Sequence, residues 1–308
     1  MLDLSKVTKL AITGANGFVG KSIVDHISNL PQVNMPNELC LITRKGLNFK
    51  LEDSLVNRTS EVHQNLTEKW RLPRDITHVL NLAADGSRSP YSSEACRDFE
   101  KISKNLVSWI SSAGEKVTVF HASSGACFGR KPLDGTDASR DIKEEFITNR
   151  IKVENILAES STLIGFDLRV GRLFTFAGIN LLGKPQYALN DFIDMALKDG
   201  KIVIRGNPKT QRSYLHQTDM SVWILKTLIN DEPYVDLQIG SNEVVTLEAL
   251  AEYVAKETNA VVETSGFLSN GDIYVPENSA TRTKLGVVET IDWKNAVSEM
   301  ISEARINS

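Results

Sequence analysis

The stretch Lys9-Leu10-Ala11-Ile12-Thr13-Gly14-Ala15-Asn16-Gly17-Phe18-Val19-Gly20 decides the fold. A short apolar run ends in glycines at positions 14, 17 and 20, and a helical pattern over residues 17–28 follows. Gly14 permits a tight turn, Gly17 lets backbone approach a pyrophosphate, and Gly20 lets the helix close on the strand. The helix N-terminus then presents N–H groups to phosphate oxygens. At the head of a strand–turn–helix unit this spacing points to dinucleotide binding, with Asn16, Phe18 and Val19 completing the turn; a purely structural turn is the alternative.

Outward from this turn, short apolar runs alternate with helical patterns. Strands are expected near residues 9–13, 39–43, 78–83, 117–121 and 166–170, and helices near 17–28, 99–113 and 144–158. The helix at 99–113 lines up Phe99, Ile102, Leu106, Trp109, Ile110 and Ala113 on one stripe. This rhythm is that of an α/β fold, a Rossmann-type doubly wound parallel sheet. It changes after about residue 177, where a loop, a helix at 190–198, a strand at 202–204 and the turn Gly206-Asn207-Pro208 follow. Helices at 218–229 and 247–257 with a strand at 237–239 return to the sheet, and a tail ends in a helix from about 293 to 303. The expected organisation is a dinucleotide-binding domain over residues 1–176 and 213–262, and a smaller interleaved substrate-binding lobe over 177–212 and 263–308.

The 308 residues are 41% hydrophobic and 24% charged, the balance of a globular protein. Thirty-five basic against 39 acidic residues leave a net charge of −4, so no global field gathers nucleic acid or an anionic membrane. Cys40, Cys96 and Cys127 are too few and scattered for a disulfide framework or a zinc site, and no metal is expected. The N-terminal stretch has no apolar run of signal-peptide type, and no run of about 18 apolar residues occurs anywhere. A cytoplasmic protein is expected. The second strand ends Ile42-Thr43-Arg44-Lys45, without the acid that would hold the ribose 2′-hydroxyl of NAD. Arg44 and Lys45 suit the 2′-phosphate of NADP, which places NADP slightly ahead of NAD; two solvated loop cations are the plainer reading.

The Thr-Gly-Ala-Asn-Gly-Phe-Val-Gly turn resembles that of the extended short-chain dehydrogenase/reductases, in the branch of NAD-dependent epimerases and dehydratases of nucleotide sugars. Further stretches fall in the family's order. Asn81-Leu82-Ala83-Ala84 resembles the strand-four motif beside the cofactor, and residues 122–129 (Ala-Ser-Ser-Gly-Ala-Cys-Phe-Gly) resemble the family's Ser-Ser-Ser-Ala-x-Val-Tyr-Gly. Residues 172–178 resemble its Arg-x-Phe-Asn-x-Tyr-Gly segment. Residues 206–214 with Asp219 resemble the stretch that grips the substrate's nucleotide, and Gly240-Ser241-Asn242 the return to the sheet.

The departure lies in the catalytic dyad. The family carries Tyr-x-x-x-Lys with a glutamate four residues beyond the lysine. Glu154 matches that glutamate, which puts Phe146 at the tyrosine and Arg150 at the lysine. No tyrosine has a lysine four residues later, and none occurs between Tyr91 and Tyr187. Phe146 keeps the ring and loses the proton, whereas Arg150 keeps a cation able to bond the cofactor's ribose hydroxyls. A positioned acid or base is worth a factor of about 10²–10⁴ in rate.

The resemblance implies further roles. Ser124 would polarise the reacting sugar oxygen, although a serine at a strand end also caps turns. Arg212 would pair with the diphosphate of a nucleoside-diphosphate sugar. Asn65, beside Leu66, would reach adenine through its amide oxygen, and Thr175 replaces an asparagine that meets substrate. Asp85 would bond ribose or substrate, or cap the next segment. His121 is more readily a satisfied, partly buried histidine than a base, and Cys127 packing. The dehydratases' Asp-Glu after the serine position is Gly125-Ala126 here, which argues against an ordinary 4,6-dehydratase. The expectation is a 4-epimerase or 4-ketosugar reductase with altered acid/base chemistry, the alternative a pseudoenzyme that binds dinucleotide or nucleotide sugar without converting it. The two long helices at 99–113 and 144–158 lie where family members form a two-fold dimer, so a homodimer is expected.

Overall fold

The computed structural model describes residues 2–84, 89–113, 116–128, 131–133, 144–183, 187–266 and 270–307. The chain divides into two compact units, one of Met1–Cys127, Arg140–Arg172 and Ser221–Leu237, the other of Phe128–Ser139, Leu173–Met220 and Gln238–Ser308.

The first unit is built on a seven-stranded sheet of β1 (Lys9–Thr13), β2 (Glu38–Thr43), β3 (Thr59–His63), β4 (His78–Asn81), β5 (Thr118–Ser124), β6 (Asp167–Leu173) and β7 (Tyr234–Ile239). Their order across the sheet is β7-β6-β5-β4-β1-β2-β3, and the β3–β2–β1–β4–β5 pairings are parallel. This is the doubly wound Rossmann arrangement. Strand order reverses between β1 and β4, and at such a switch point the loops after the strands diverge and leave room for a ligand. Burial is nearly continuous along β1, β2 and β4, as expected for strands covered on both faces.

Helix α1 (Phe18–Ser28) follows the glycine turn, α2 (Ser93–Ala113) follows β4, and α3 (Glu144–Ile164) precedes β6. The α2 stripe of Phe99, Ile102, Leu106, Trp109 and Ile110 is buried against β4 and β5 in one apolar cluster with Val153 and Leu157 of α3.

The elements differ from the sequence reading in instructive places. Helix α2 starts six residues early because Ser92 caps it, its Oγ accepting from Ala95 N at 3.2 Å. Strand β5 runs on through Ser124, and the break comes at Gly125, where a 3₁₀ turn begins. Strand β4 stops at Asn81 because the next two amides leave the ladder: Leu82 N and Ala83 N donate to Thr13 Oγ1 at 3.0 and 3.1 Å. Strand β3 and the helix Ser279–Leu285 lie outside the expected elements; β3 is an edge strand, half-buried at Thr59 and Val62 and otherwise exposed, so its sequence lacks an apolar alternation.

A buried polar chain crosses the sheet. Thr13 Oγ1 lies 3.3 Å from both Leu80 O and Asn81 Oδ1, and Asn81 Nδ2 donates to His121 Nδ1 at 3.0 Å. His121 is fully buried, with its ring 5.3 Å from Phe99 and no partner for Nε2 among the described residues. Burial, with Arg150 nearby, pushes its pKa down from 6.5 to about 3. Burial and Arg169 push that of His78 down to about 4.

The second unit holds short strand pairs and helices. Lys201–Ile204 pairs parallel with Val261–Thr264, and Gln211–Arg212 pairs with Val245–Thr246 and Asp272–Tyr274. Helices Ala188–Asp199, Leu247–Thr258 and Trp293–Ile306 match the expected positions within a few residues. Among the described residues no helix is long and apolar enough to cross a membrane.

A Cβ on Gly20 would run into the Gly14 carbonyl oxygen and lie 2.8 Å from Ala15 Cα, both backbone. Gly20→Ala is therefore expected to destabilise the protein by about 1–3 kcal/mol, the usual cost of overpacking, read as a lowered thermal midpoint. The buried His121 and the half-buried His78 make a second prediction. Each is neutral when folded and takes up a proton on unfolding, so stability falls as pH drops from about 6.5 toward 4. Thermal midpoints measured between about pH 7.5 and pH 5 should decline, and His78→Gln should flatten the slope.

Candidate functional site

Gly14 adopts φ +69°, the left-handed region that favours glycine. A Cβ there would sit 3.1 Å from Ala83 Cα and 3.2 Å from Leu82 O, so β1 and the end of β4 approach each other only because position 14 carries no side chain. Gly17 N donates to Gly14 O at 2.8 Å and Gly17 caps α1 in extended geometry. The turn thus brings small residues and the start of a helix to the sheet's switch point, a fit for a pyrophosphate. Phe18 is buried and Val19 partly so, so what position 18 offers a ligand is main chain.

Asn16 has a job of its own. Its Nδ2 donates to Gly46 O at 2.8 Å and its Oδ1 accepts from Asn48 N at 3.1 Å, which ties the glycine turn to the loop after β2. Arg44 and Lys45 are exposed on that loop, and Thr43 Oγ1 accepts from Gly46 N at 2.9 Å. The Asn65 amide oxygen already accepts from Thr67 N and Thr67 Oγ1, at 3.2 and 3.0 Å, in a local turn. Leu66 is buried, and its carbonyl accepts from Trp70 Nε1 and Asn105 Nδ2, both at 3.0 Å. Ala83 is buried and Ala84 exposed at the end of β4.

On α3, Phe146 and Arg150 are one helical turn apart and both buried, at 7% exposure. The Arg150 guanidinium carbon lies 3.3 Å from the Phe99 ring centre and 4.4 Å from that of Phe146. Its one hydrogen bond among the described residues is a long one, Nη1 to Asn149 Oδ1 at 3.4 Å. Two aromatic faces, not a carboxylate, hold this cation. Burial lowers its pKa to about 10, so it stays charged at neutral pH. The Tyr91 ring meets Phe146 edge-on, 5.2 Å between centres.

One further turn along, Glu154 accepts from Arg172 Nε at 3.2 Å and Nη2 at 2.7 Å, and also from Ser123 Oγ. Cys127 Sγ lies 3.6 Å from the same carboxylate, and burial raises its pKa. Arg172 Nη1 reaches Asp236 at 3.1 Å. This clamp joins α3, β5, β6 and β7. The sequence reading used Glu154 only to align the dyad; the signal for its role was an acid on the buried stripe of a helix, which demands a cation. Ser124 Oγ, next along β5, is half-buried and accepts from Ala126 N at 3.2 Å, a turn contact that still leaves its proton to donate.

In the second unit, Arg212 Nη1 bonds Asp272 Oδ1, Asp272 O at 3.3 Å and Gln211 O at 2.7 Å, and the guanidinium carbon lies 6.0 Å from the Tyr274 ring centre. Its Nε and Nη2 make no bond among the described residues. Thr175 Oγ1 donates to Ser213 O at 2.5 Å and so fastens two segments of backbone. Asp219 is buried and accepts from Thr290 N, Thr290 Oγ1 and Ile291 N at 2.7–3.1 Å, a structural role. Arg205 and Lys209 are exposed. Asp85 and Gly129 lie outside the described residues. Among the described residues no group of three His, Cys, Asp or Glu could hold a metal ion.

Known structures share this fold at low sequence identity. A UDP-N-acetylglucosamine 4-epimerase from Methanobrevibacter ruminantium M1, in complex with UDP-N-acetylmuramic acid, superposes with a TM-score of 0.80 at 17% identity, covering 100% of both chains. A UDP-glucuronic acid 4-epimerase from Bacillus cereus, in complex with UDP-glucuronic acid and NAD, gives 0.77 at 15% identity over 98% of this chain and 100% of its own. MoeE5 in complex with UDP-glucose and NAD gives 0.75 at 20% identity over 97% and 99%. No curated protein sequence matches the chain. The sequence model of the NAD dependent epimerase/dehydratase family does match, over residues 10–240, and on that span the chain belongs to this family.

Proposed function

We propose that the protein binds a nicotinamide dinucleotide and a nucleoside-diphosphate sugar and acts on the sugar as a 4-epimerase or 4-ketosugar reductase with altered acid/base chemistry. The observation that carries this reading is the intact turn at Gly14, Gly17 and Gly20 beside Ala83, a geometry kept open by the absence of side chains. When bound, the dinucleotide supplies the hydride acceptor and donor. Ser124 directs its hydroxyl proton to the reacting sugar oxygen, and Arg212 offers Nε and Nη2 to the diphosphate while Asp272 holds Nη1. Arg150 adds a fixed positive charge beside Phe146, which favours developing negative charge nearby. The relatives' ligands support this assignment: MoeE5 is seen with UDP-glucose and NAD, the Bacillus cereus epimerase with UDP-glucuronic acid and NAD.

Arg44 and Lys45, exposed after β2 with no acid at the strand end, favour NADP; the relatives' NAD favours NAD. The same proposal places the dinucleotide on residues 1–176 and 213–262, the sugar on 177–212 and 263–308, and the protein in the cytoplasm as a homodimer through α2 and α3.

A second reading has its own observation. Phe146 has no proton to give and Arg150 is enclosed by two rings, which suits a protein that binds these ligands without converting them. Mass spectrometry of small molecules released from the denatured protein identifies the dinucleotide, and assaying a UDP sugar for conversion separates the two readings. Retained NAD points to an epimerase cycle on one cofactor, NADP(H) to a reductase, and absence of both with no binding on re-addition rejects dinucleotide binding. With turnover in hand, Ser124→Ala and Arg212→Ala should each lower kcat/KM by about 10-fold or more, the loss of one charge-assisted or polarising hydrogen bond. Unchanged turnover in both would reject the site.

A further inference from the structure

Among the described residues Arg150 is a buried cation without a counter-charge. It is 7% exposed, and its guanidinium carbon lies 3.3 Å from the Phe99 ring centre and 4.4 Å from that of Phe146. The titratable side chains that feel its charge are Cys96, Cys127 and His121, and all three are neutral at neutral pH. Burial raises both thiols, while burial and Arg150 itself hold His121 uncharged, with a pKa of about 3. The acids on the same helix are engaged elsewhere: Glu154 with Arg172 and Ser123, Glu145 with Ser93 Oγ. Desolvation therefore dominates, and it lowers the Arg150 pKa to about 10. The two rings ease the burial of the charge but offer no acceptor to the edge of the guanidinium. Nη1 has Asn149 Oδ1 at 3.4 Å, whereas Nε and Nη2, the side-on pair that matches a carboxylate, have no partner among the described residues. Unlike His121 Nε2, neither of these nitrogens is sealed from solvent.

We propose that the Nε/Nη2 edge of Arg150 binds the carboxylate of an acidic sugar, so that the substrate is a nucleotide sugar of the uronic acid class. This rests on the proposed function and deepens it. A buried charge left unpaired is costly, and an anion that meets it in two parallel hydrogen bonds removes that penalty on binding. A carboxylate continues the plane of the guanidinium. The further oxygens of a phosphate stand out of that plane, toward aromatic faces whose negative potential repels them. In the proposed function the phosphates already have donors, in the glycine turn and in Arg212, which leaves a charge on the sugar itself as the anion for Arg150. The residues that feel the cation, His121 and Cys127, bracket Ser124 along β5 and the turn after it. Arg150 thus acts on the stretch that carries the hydroxyl assigned to the reacting sugar oxygen. The same reading accounts for arginine at this position: a lysine brings a charge but neither the stack nor the fork.

Calorimetry on the full-length protein at neutral pH tests this, with NAD⁺, UDP, UDP-glucose and UDP-glucuronic acid as ligands. The parent should bind UDP-glucuronic acid about 10-fold or more tighter than UDP-glucose, the effect of a hydrogen bond between charged groups. Arg150→Met keeps an unbranched apolar stem and loses the charge. It should bind NAD⁺, UDP and UDP-glucose as the parent does and lose the preference for the acidic sugar. Equal affinity of the parent for the two sugars, or a preference that survives in Arg150→Met, overturns the proposal. So does a variant that loses as much affinity for UDP or NAD⁺ as for UDP-glucuronic acid, since the partner of Arg150 is then on the nucleotide or the cofactor. Binding of neither UDP nor either UDP sugar rejects the proposed function itself, a result distinct from equal binding of both sugars. Arg150→Lys guards against a methionine variant that does not fold. It keeps the charge, loses the fork and should prefer the acidic sugar less than the parent does; a lysine variant that discriminates as strongly as the parent overturns the forked contact.

Discussion

Much of the first unit hangs on one close approach, the backbone of Gly14 against Ala83 at the point where strand order reverses. Two strands that are neighbours in the sheet must part their following loops there, and any side chain at position 14 would push them apart too soon. Thr13 holds the approach from beneath. Its hydroxyl takes the amides of Leu82 and Ala83 out of the β4 ladder and passes the contact on through Asn81 to His121 on β5. The glycine turn is therefore not a loop resting on a sheet. It is the upper end of a buried hydrogen-bonded chain that spans three strands, in surroundings where an unpaired polar group is costly.

Electrostatics at α3 follow a different logic from that of Glu154. At Glu154 a buried carboxylate meets a guanidinium in two hydrogen bonds, the arrangement that makes ionic burial tolerable. At Arg150 the cation meets two aromatic faces and one amide oxygen. Such a guanidinium is weakly hydrated and planar, so it accepts stacking where an ammonium would not. Lysine-for-arginine exchange at position 150 would keep the charge and lose the stack. The pair Phe146 and Arg150 reads as one packing unit: the ring that replaced a phenol is also the surface that holds the cation.

How much of this was legible beforehand follows from which physics leaves a local trace. Glycine spacing, the near-continuous apolar strands β1 and β2 and the α2 stripe announce themselves, because each is a short-range pattern. The dyad's replacement by Phe146 and Arg150 was equally plain from spacing. Strand β3 was hidden, since an exposed edge strand such as Thr-Ser-Glu-Val-His carries polar residues and is held on one side only, by β2. The engaged side chains were hidden for another reason. That Thr175 fastens Ser213 and that Asp272 holds Arg212 are facts about distant neighbours, and no motif states them, whereas the Asn65 turn onto Thr67 is local. The sequence suggests a satisfied, partly buried His121; the ring is fully buried instead, and among the described residues only Nδ1 has a partner.

Asn16 carries a consequence for the lifetime of the molecule. It precedes Gly17, and an asparagine before glycine is the site at which a backbone amide most readily attacks the side-chain amide and expels ammonia. In the folded protein both ends of that side chain are held, by Gly46 O and Asn48 N, so the group cannot swing into reach. Each excursion to the unfolded state releases it. An aspartate formed there would return to face the Gly46 carbonyl with a negative charge, beside a turn shaped for phosphates. Chemical ageing at this one position would thus be gated by folding stability, and the damaged chains would be the ones least able to hold an anionic ligand.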